Sequence, residues 1–310
     1  MKTTFNYDHY YIYEELSSNL NYFKEHYPNL VQIESICTTF EHKEVWAVTI
    51  SGSGNAMEKP AFYIDANTHA GEVTGSMAAM HTIDYLCTNS NQEDVKKLLD
   101  QFTFYVIPRI TPDGAETYLT SYEKLRSVNR PYPYQKKQPG LHECDLDGDG
   151  VMRMMRMKSK FGAWKISKEN SLLMEKRLPD ERDGEFYNVY AEGLIEDYDG
   201  INVPIAPNKW GLDFNRNYPF GWFSEVRQPG AGSYPLSNPE NKAVVDFVLA
   251  HPNIGAVATH HTSGGVILYP PGTKPEKKAF SADMKRFREI GAMATEEMGY
   301  PTINIFDHFM

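Results

Sequence analysis

The sequence predicts an α/β fold, in which a mixed parallel and antiparallel sheet is flanked by helices. Short apolar runs rich in β-branched and aromatic residues alternate along the chain with longer segments of helical periodicity. Such alternation is typical of a sheet that carries helices on both faces. The chain has 310 residues, 41% of them hydrophobic, which is enough for one large core or two smaller ones.

The clearest periodic segments lie in the first third of the chain. An amphipathic helix is predicted at 8–27, and Pro28-Asn29 ends it. The predicted strands are 30–37, 45–50, 61–65 and 102–107, and the predicted helices between them are 74–86 and 93–99. The segment 108–114, which ends in Thr111-Pro-Asp-Gly114, has the composition of a turn.

Periodicity is lost between about 127 and 210, a stretch rich in Tyr, Pro, Lys, Arg, Asp and Gly. We expect an irregular insertion there, with short strands near 162–167 and 186–190. After it, the pattern predicts a helix at 238–250, strands at 254–259 and 265–269, and a long amphipathic helix at 275–298. One domain spanning 1–310, with an insertion at about 127–210, is therefore expected.

Charge and cysteine usage exclude several classes of protein. A net charge of −10 argues against a nucleic-acid-binding protein. No apolar run approaches transmembrane length, so no membrane partner is expected. The amino terminus contains no signal-peptide core, which leads us to expect a cytoplasmic location or a chain that is already processed. Cys37, Cys87 and Cys144 are odd in number and widely spaced, so neither a disulfide framework nor a cysteine zinc site is expected.

The most informative stretch is Ala66-Asn-Thr-His-Ala-Gly-Glu-Val73, between a predicted strand and a predicted helix. His69 and Glu72 are three residues apart, so both side chains lie on one side of a first helical turn. An imidazole and a carboxylate placed in this way can bind one metal ion, provided that a third ligand comes from elsewhere. Alternatively, Glu72 is an exposed residue favoured by the helix dipole, beside an incidental histidine.

A candidate for the third ligand is found in Thr259-His-His-Thr-Ser-Gly-Gly264, where the predicted strand 254–259 ends. Ligands of open α/β sheets bind at strand ends, so a histidine there is well placed to approach the corner at 69–72. One of the two histidines is expected to be a structural residue of the strand end. We assign that role to His260.

Five motifs, taken in order, resemble the zinc metallocarboxypeptidases of the carboxypeptidase A/B type. They are the amino-terminal segment with Tyr27-Pro-Asn-Leu30 and Phe40-Glu-His-Lys43, then His69-Ala-Gly-Glu72, Thr111-Pro-Asp-Gly114, Gly211-Leu-Asp-Phe-Asn-Arg-Asn217, and His261-Thr-Ser with Leu268-Tyr-Pro270. The resemblance covers 8–125 and 208–310, whereas 127–207 resembles only family members with a long insertion. It implies a zinc carboxypeptidase-like catalytic domain.

The resemblance also implies ligands for one zinc ion per chain and for the substrate. His69, Glu72 and His261 match the zinc ligands of the family, and counting back from Leu268-Tyr-Pro270 selects His261 rather than its neighbour. Asn215 and Arg216 match the pair that holds the terminal carboxylate of a substrate. A guanidinium binds a carboxylate through two parallel hydrogen bonds, and an amide adds a neutral donor.

Arg126 matches the arginine that polarises the scissile carbonyl and stabilises the oxyanion formed from it. The aromatic residue that usually stands beside this arginine is replaced by Leu125, and Arg130 is a rival for the role. Arg126 as a solvated surface residue is the alternative. Lys43, where the family often has arginine, is expected to be a surface lysine rather than a source of positive charge in the cleft.

The chain departs from the family after His261. The resemblance implies a general-base Glu on a strand and a substrate-capping Tyr, both several tens of residues beyond the second His ligand. Only 49 residues follow His261, and their glutamates fall in a predicted helix. We therefore expect this chain to be the N-terminal part of a longer enzyme, without the general base.

A second departure is the acidic run Asp145-Leu-Asp-Gly-Asp-Gly150 in the insertion. Asp145, Asp147 and Asp149, followed by a glycine at the sixth position, fit the start of a Ca²⁺ loop. The twelfth position is Arg156, where an EF-hand requires a bidentate glutamate, so an EF-hand is excluded. A Ca²⁺ loop completed from elsewhere and an ion-free acidic turn near Arg153 both remain open.

The sequence therefore predicts a zinc-dependent metallocarboxypeptidase, which removes C-terminal residues from peptides through a metal-activated water. One alternative is a zinc-dependent deacylase of the aspartoacylase-like type, which hydrolyses a small acylated amino acid. Another is a non-catalytic zinc protein that binds peptide tails. In each case the expected partner carries a free carboxylate.

Overall fold

A five-stranded mixed sheet organises the larger of two parts of this chain. The computed structural model describes residues 2–262 and 264–309, and the chain divides into two compact units, 1–260 and 261–310. The helices are α1 (Tyr13–His26), α2 (Val73–Thr88), α3 (Glu93–Gln101), α4 (Pro112–Thr120), α5 (Pro239–Ala250) and α6 (Ser281–Met298). The strands are β1 (Val31–Thr38), β2 (Glu44–Ser51), β3 (Ala61–Ala66), β4 (Thr103–Ile107), β5 (Gly140–Glu143), β6 (Met154–Lys158), β7 (Trp164–Ile166), β8 (Met174–Lys176), β9 (Tyr187–Ala191), β10 (Gly193–Glu196), β11 (Ile254–His260), β12 (Ile267–Tyr269) and β13 (Thr302–Asn304).

The central sheet of the first unit has the strand order β1-β2-β4-β3-β11. Its first two contacts, β1 with β2 and β2 with β4, are antiparallel, whereas β4 with β3 and β3 with β11 are parallel. The mixed sheet that the sequence predicts is thereby confirmed. In the register of the last pair, Ala66 at the end of β3 lies opposite His260 at the end of β11. The two strands therefore end side by side, at the same edge of the sheet.

Each face of the sheet has its own hydrophobic core. On one face, α1, α2 and α3 contribute buried side chains such as Leu20 and Met80. On the other face, Phe247 of α5 packs against Tyr63, with ring centroids 6.5 Å apart. Because neighbouring strand residues point to opposite faces, Ile64 belongs to the first core and Tyr63 to the second. Burial of each such side chain contributes about 1.5–3 kcal/mol, which explains why the first four residues of β3, 61–64, are all apolar.

The turn predicted at Thr111-Pro-Asp-Gly114 is wrong, because α4 begins at Pro112 within that motif. Proline is well suited to the first helical position, where its missing N–H costs nothing and its φ is already helical. Asp113 and Gly114 are buried within the first turn of this helix. A segment with turn composition is here the start of a helix.

The insertion is more regular than predicted. It contains a four-stranded antiparallel sheet of order β6-β9-β7-β8 and a separate pair, β10 with β5. Strands β7 and β9 confirm the two that the sequence predicts. The others have three to five residues, and none is fully buried along its length, so their sequences carry little of the hydrophobic periodicity that reveals a strand.

The second unit contains β12 and β13, which pair in parallel, and helix α6. The ring of Tyr269 in β12 stacks on Phe287 of α6 at a centroid distance of 6.1 Å. On the other strand, Thr302 donates a hydrogen bond to the carbonyl of Gly291. The predicted helix 275–298 is confirmed from Ser281 onward, after a short 3-10 helix at Glu276–Lys278.

None of the described helices has both the length and the apolar character needed to cross a membrane. The expectation of a single catalytic domain across 1–310 stays a prediction.

Candidate metal centre

The corner between β3 and α2 is closed by Asn67. This residue is buried and has a φ of 61°, in the left-handed region, which asparagine enters more readily than most residues. Its Nδ2 donates hydrogen bonds to the carbonyls of His69, at 2.7 Å, and Ala70, at 3.2 Å. Asn67 therefore fixes the path of the backbone that carries the predicted ligands, a role that the local sequence does not reveal.

His69 and Glu72 contact each other across this corner. Nδ1 of His69 lies 3.0 Å from Oε1 of Glu72, and the two side chains are only 4% and 12% exposed. Glu72 is the residue that precedes the first turn of α2, but its side chain makes no capping hydrogen bond there. An exposed helix-start glutamate does not fit this burial, so the contact favours the metal prediction over its alternative.

Asp213 holds the other nitrogen of the same imidazole. Its Oδ1 lies 3.2 Å from Nε2 of His69, and its Oδ2 accepts a hydrogen bond from Nε of Arg126 at 3.1 Å. Burial raises the pKa of Asp213, but the hydrogen bonds and charges of His69 and Arg126 outweigh burial and lower the pKa from 3.8 to about 2. Asp213 is therefore an anion that His69 and Arg126 share.

Asp213 belongs to the predicted Gly211–Asn217 motif, but nothing in its local sequence indicates a partner for His69. Metal-binding histidines usually donate their second ring N–H to a carboxylate or a carbonyl. This preference is the one sequence-level signal that an acidic residue of another motif supports His69.

The donor set fits a zinc ion. An ionised Asp213 favours the tautomer of His69 that carries its proton on Nε2, which leaves the lone pair of Nδ1 directed to the side of Glu72. Imidazole nitrogen and carboxylate oxygen are both common zinc ligands. Burial lowers the pKa of His69, yet the hydrogen bonds and charges of Asp213 and Glu72 outweigh it, so the pKa is raised above 6.5.

Backbone hydrogen bonds tie three distant segments together at this point. The N–H of Ala70 donates to the carbonyl of Arg126 at 2.9 Å, and the N–H of Ser127 donates to Leu212 at 3.1 Å. The hydroxyl of Ser127 also accepts from the N–H of Phe214 at 3.0 Å. The predicted motifs at 69–72, 126 and 211–217 are thus brought together within the first unit.

His260 is the last residue of β11, and His261 follows the strand. His260 packs on α2, since a methyl group added to Gly75 would lie 3.0 Å from Cβ of His260. This packing agrees with the structural role predicted for His260. His261 follows it directly, as the first residue of the second unit, while Ser263 of the predicted motif lies outside the described residues. The assignment of His261 as a zinc ligand stays a prediction.

The predicted carboxylate-binding pair lies in a single 3-10 turn, Phe214–Arg216, which Asp213 caps by accepting from the N–H of Asn215 at 2.8 Å. Both Asn215 and Arg216 are exposed. Among residues 2–262 and 264–309, no carboxylate forms a salt bridge with Arg216. The side chain of Arg126 is also 48% exposed, although its Nε is bound to Asp213.

Two cations that competed for functional roles are engaged elsewhere. Arg130 forms an ion pair with the fully buried Glu240, through hydrogen bonds of 2.7 and 2.9 Å. This engagement favours Arg126 for the carbonyl-polarising role. Lys43 lies 2.6 Å from Glu41 and 3.5 Å from Asp113, so its charge is already balanced.

The acidic run of the insertion forms a tight loop. Ligand oxygens of Asp145, Asp147 and Asp149 lie within 4.8 Å of one another. However, Asp145 already accepts two backbone N–H groups of the loop, and Nη1 of Arg153 lies 2.5 Å from Asp149 and 3.7 Å from Asp147. Arg153 neutralises part of the negative charge of the carboxylates to which Ca²⁺ would bind, which favours the ion-free turn. Binding of Ca²⁺ to this loop is not shown.

Comparison with known proteins gives a consistent result along the chain. A family model described as zinc carboxypeptidase matches residues 16–307. Carboxypeptidase A2 of Mus musculus is 21% identical over 307 residues, a match that covers 96% of this chain and 54% of that relative. Zinc carboxypeptidase A 1 of Drosophila melanogaster is 29% identical over 133 residues, covering 42% of this chain and 31% of that relative.

Solved structures resemble the fold. Carboxypeptidase A from Helicoverpa armigera has a TM-score of 0.64 at 17% identity, covering 98% of this chain and 59% of that chain. Thrombin activatable fibrinolysis inhibitor has a TM-score of 0.59 at 18% identity, covering 96% and 59% of the two chains. At these identities the likeness shows the fold, and it confirms the predicted fold class. The chain spans about half the length of the relatives that it matches from end to end.

Proposed function

The chain belongs to the zinc carboxypeptidase family, and on that premise we propose that it serves the zinc-dependent removal of C-terminal residues from peptides. The observation that carries the proposal is the contact of His69 with Glu72 at 3.0 Å, with Asp213 bound to the other imidazole nitrogen. A buried histidine between two carboxylates has the composition and orientation of a zinc ligand with its supporting partner.

His69, Glu72 and His261 would hold the zinc ion. His261 follows His260 in the chain, and His260 lies opposite Ala66 in the sheet. Ala66 in turn is three residues before His69. The position of β11 beside β3 supports the choice of a ligand at the end of that strand. When bound, zinc supplies the Lewis acidity that activates a water for attack on the peptide carbonyl.

Asn215 and Arg216 would bind the free carboxylate of the substrate. Both are exposed on the turn that Asp213 caps, so the same aspartate that orients His69 also positions this turn. A charge-assisted hydrogen bond of this type contributes about 1.5–3 kcal/mol. The substrate is therefore a peptide, or a small acylated amino acid, with a free carboxylate.

Arg126 would polarise the scissile carbonyl and stabilise negative charge on its oxygen. Its Nε is held by Asp213 at 3.1 Å, while 48% of the side chain stays exposed. One hydrogen bond therefore orients the guanidinium, and its remaining N–H groups face an accessible region. Donors that are oriented before the reaction stabilise the charged transition state most effectively.

The glutamates that follow His261 do not have the position that the family resemblance implies for the general base. Glu276 lies in a 3-10 helix, where it accepts hydrogen bonds from Tyr269 and Arg288. The other glutamates of this part of the chain lie on α6. We propose that the residues described here bind zinc and the substrate carboxylate, and that proton transfer depends on a group outside this set.

Calorimetry with the zinc-loaded protein tests the proposal. A peptide with a free C-terminus should bind, and its C-terminally amidated form should bind at least about tenfold more weakly. Arg216→Ala should weaken binding of the free peptide by a similar factor, while Arg153→Ala, which changes an exposed arginine of the insertion, should leave it unchanged. Equal binding of the free and amidated peptides would contradict carboxypeptidase function and favour hydrolysis of an internal amide.

A further inference from the structure

Gly71 separates the two proposed ligands of the corner, and an aromatic ring lies against it. A Cβ added to Gly71 would lie 3.0 Å from Cε2 and 3.3 Å from Cζ of Tyr118. The ring therefore occupies the space that any other side chain at position 71 would fill. No predicted motif contains Tyr118, and none of the roles proposed above uses it.

Tyr118 combines a rigid support with an accessible ring. It lies on α4, whose first turn is anchored by a hydrogen bond of 2.7 Å from Thr39 to Asp113. Further along the helix, Glu116 accepts from the N–H of Tyr13 at 2.8 Å. The side of the ring at Gly71 is in contact with backbone, yet 47% of the residue is exposed. A half-exposed ring on a rigid element is suited to stacking or apolar contact with a ligand.

The position of Tyr118 relative to His69 indicates which part of a substrate it would meet. The two imidazole nitrogens point in different directions, Nε2 to Asp213 and Nδ1 to Glu72. The carboxylate-binding turn that includes Arg216 continues from Asp213, whereas Gly71 and Tyr118 adjoin Glu72. A substrate held by its carboxylate at Arg216 would pass the ligands and continue toward Tyr118.

We propose that Gly71 and Tyr118 form a subsite for the residue on the N-terminal side of the scissile bond. Gly71 leaves room for the ring, and the ring favours an aromatic or large apolar side chain at that substrate position. The inference rests on the proposed function, because it takes the direction of the substrate from the carboxylate-binding pair.

Binding of three ligands to the zinc-loaded protein tests the subsite. Two are peptides with a free C-terminus that differ only in Phe or Gly before the last residue, and the third is an N-acetylated amino acid, which lacks that residue. The wild type should prefer the Phe peptide by about three- to tenfold. Tyr118→Ala should abolish this preference and leave binding of the acetylated amino acid unchanged.

Two further variants serve as controls. Tyr118→Phe keeps the ring and should keep the preference, and its zinc content should equal that of the wild type. Tyr122→Ala removes a tyrosine that is 40% exposed, four residues along the chain, and should behave as the wild type.

A wild type that binds the Phe and Gly peptides equally, or a Tyr118→Ala variant that retains the preference, would overturn the subsite alone. Failure of the wild type to bind any of the three ligands would overturn the proposed function and the subsite with it.

Discussion

Replacing Asp213 by asparagine removes one negative charge from the point where His69 and Arg126 meet, while it preserves the size of the side chain. Loss of a carboxylate that supports a metal-binding histidine lowers metal affinity by about 10–100-fold. That range corresponds to about 1.4–2.7 kcal/mol. We therefore expect Asp213→Asn to bind zinc 10–100-fold more weakly than the wild type.

The same variant should be less stable without zinc. In the folded protein the pKa of Asp213 is lowered from 3.8 to about 2. At pH values above the unfolded-state pKa, this shift contributes about 2 kcal/mol to the free energy of unfolding. Because the folded-state pKa is the lower one, this contribution is present above about pH 4 and is lost as the pH falls toward 2. At pH 5, where the raised pKa of His69 keeps the imidazole protonated, the variant should be about 2 kcal/mol less stable.

Two assays measure these effects. Competition with a chromophoric chelator gives zinc affinity at neutral pH, and urea unfolding of the metal-free protein gives stability at pH 5 and pH 3. Asp246→Asn makes the same chemical change on an exposed residue of α5 that pairs with Lys242 and should change neither quantity appreciably. Wild-type zinc affinity in Asp213→Asn would refute the supporting role assigned to this carboxylate.

Two other predictions follow from the corner. Asn67→Ala should destabilise the protein by about 1–3 kcal/mol in urea unfolding, because it loses two buried hydrogen bonds and places alanine at a positive φ. Asn67→Gly should recover part of that loss. An alanine variant as stable as the wild type would contradict the role of Asn67 in fixing the backbone. Zinc affinity should fall as the pH decreases through the raised pKa of His69, so the midpoint of this fall should lie above pH 6.5. Chelator titrations over a pH series measure it, and a midpoint well below 6.5 would contradict His69 as a ligand.

The elements best predicted from sequence are those with strong periodicity. Strand β3 begins with four apolar residues, and helix α2 is a long segment rich in Ala and Met that is largely buried against the sheet, so both stand out in the sequence. The insertion strands have no such signature, because they are short and half-exposed. Helix α4 was missed for a different reason, since a proline and a glycine at its start have the composition of a turn.

Part of the candidate site was also accessible from sequence. The three-residue spacing of His69 and Glu72 pointed to their contact, but the helical turn expected there is wrong, because both residues lie in the turn before α2, where the N–H of Glu72 donates to the carbonyl of His69 at 3.0 Å. Asp213 contacts His69 from 144 residues away, and no local pattern specifies that distance. The role of Asn67 depends on a positive φ, and Tyr118 depends on the packing of α4 against Gly71, so both required the three-dimensional arrangement.

The zinc content of histidine variants tests the central claim most directly. Elemental analysis of the purified wild type should give close to one zinc ion per chain, and His69→Ala or His261→Ala should remove most of it, because an open site loses much of its affinity with one of three protein ligands. His260→Ala should retain the metal, since His260 packs on α2. Equal zinc content in wild type and His69→Ala, or loss of zinc on substitution of His260 with retention on substitution of His261, would contradict the assignment.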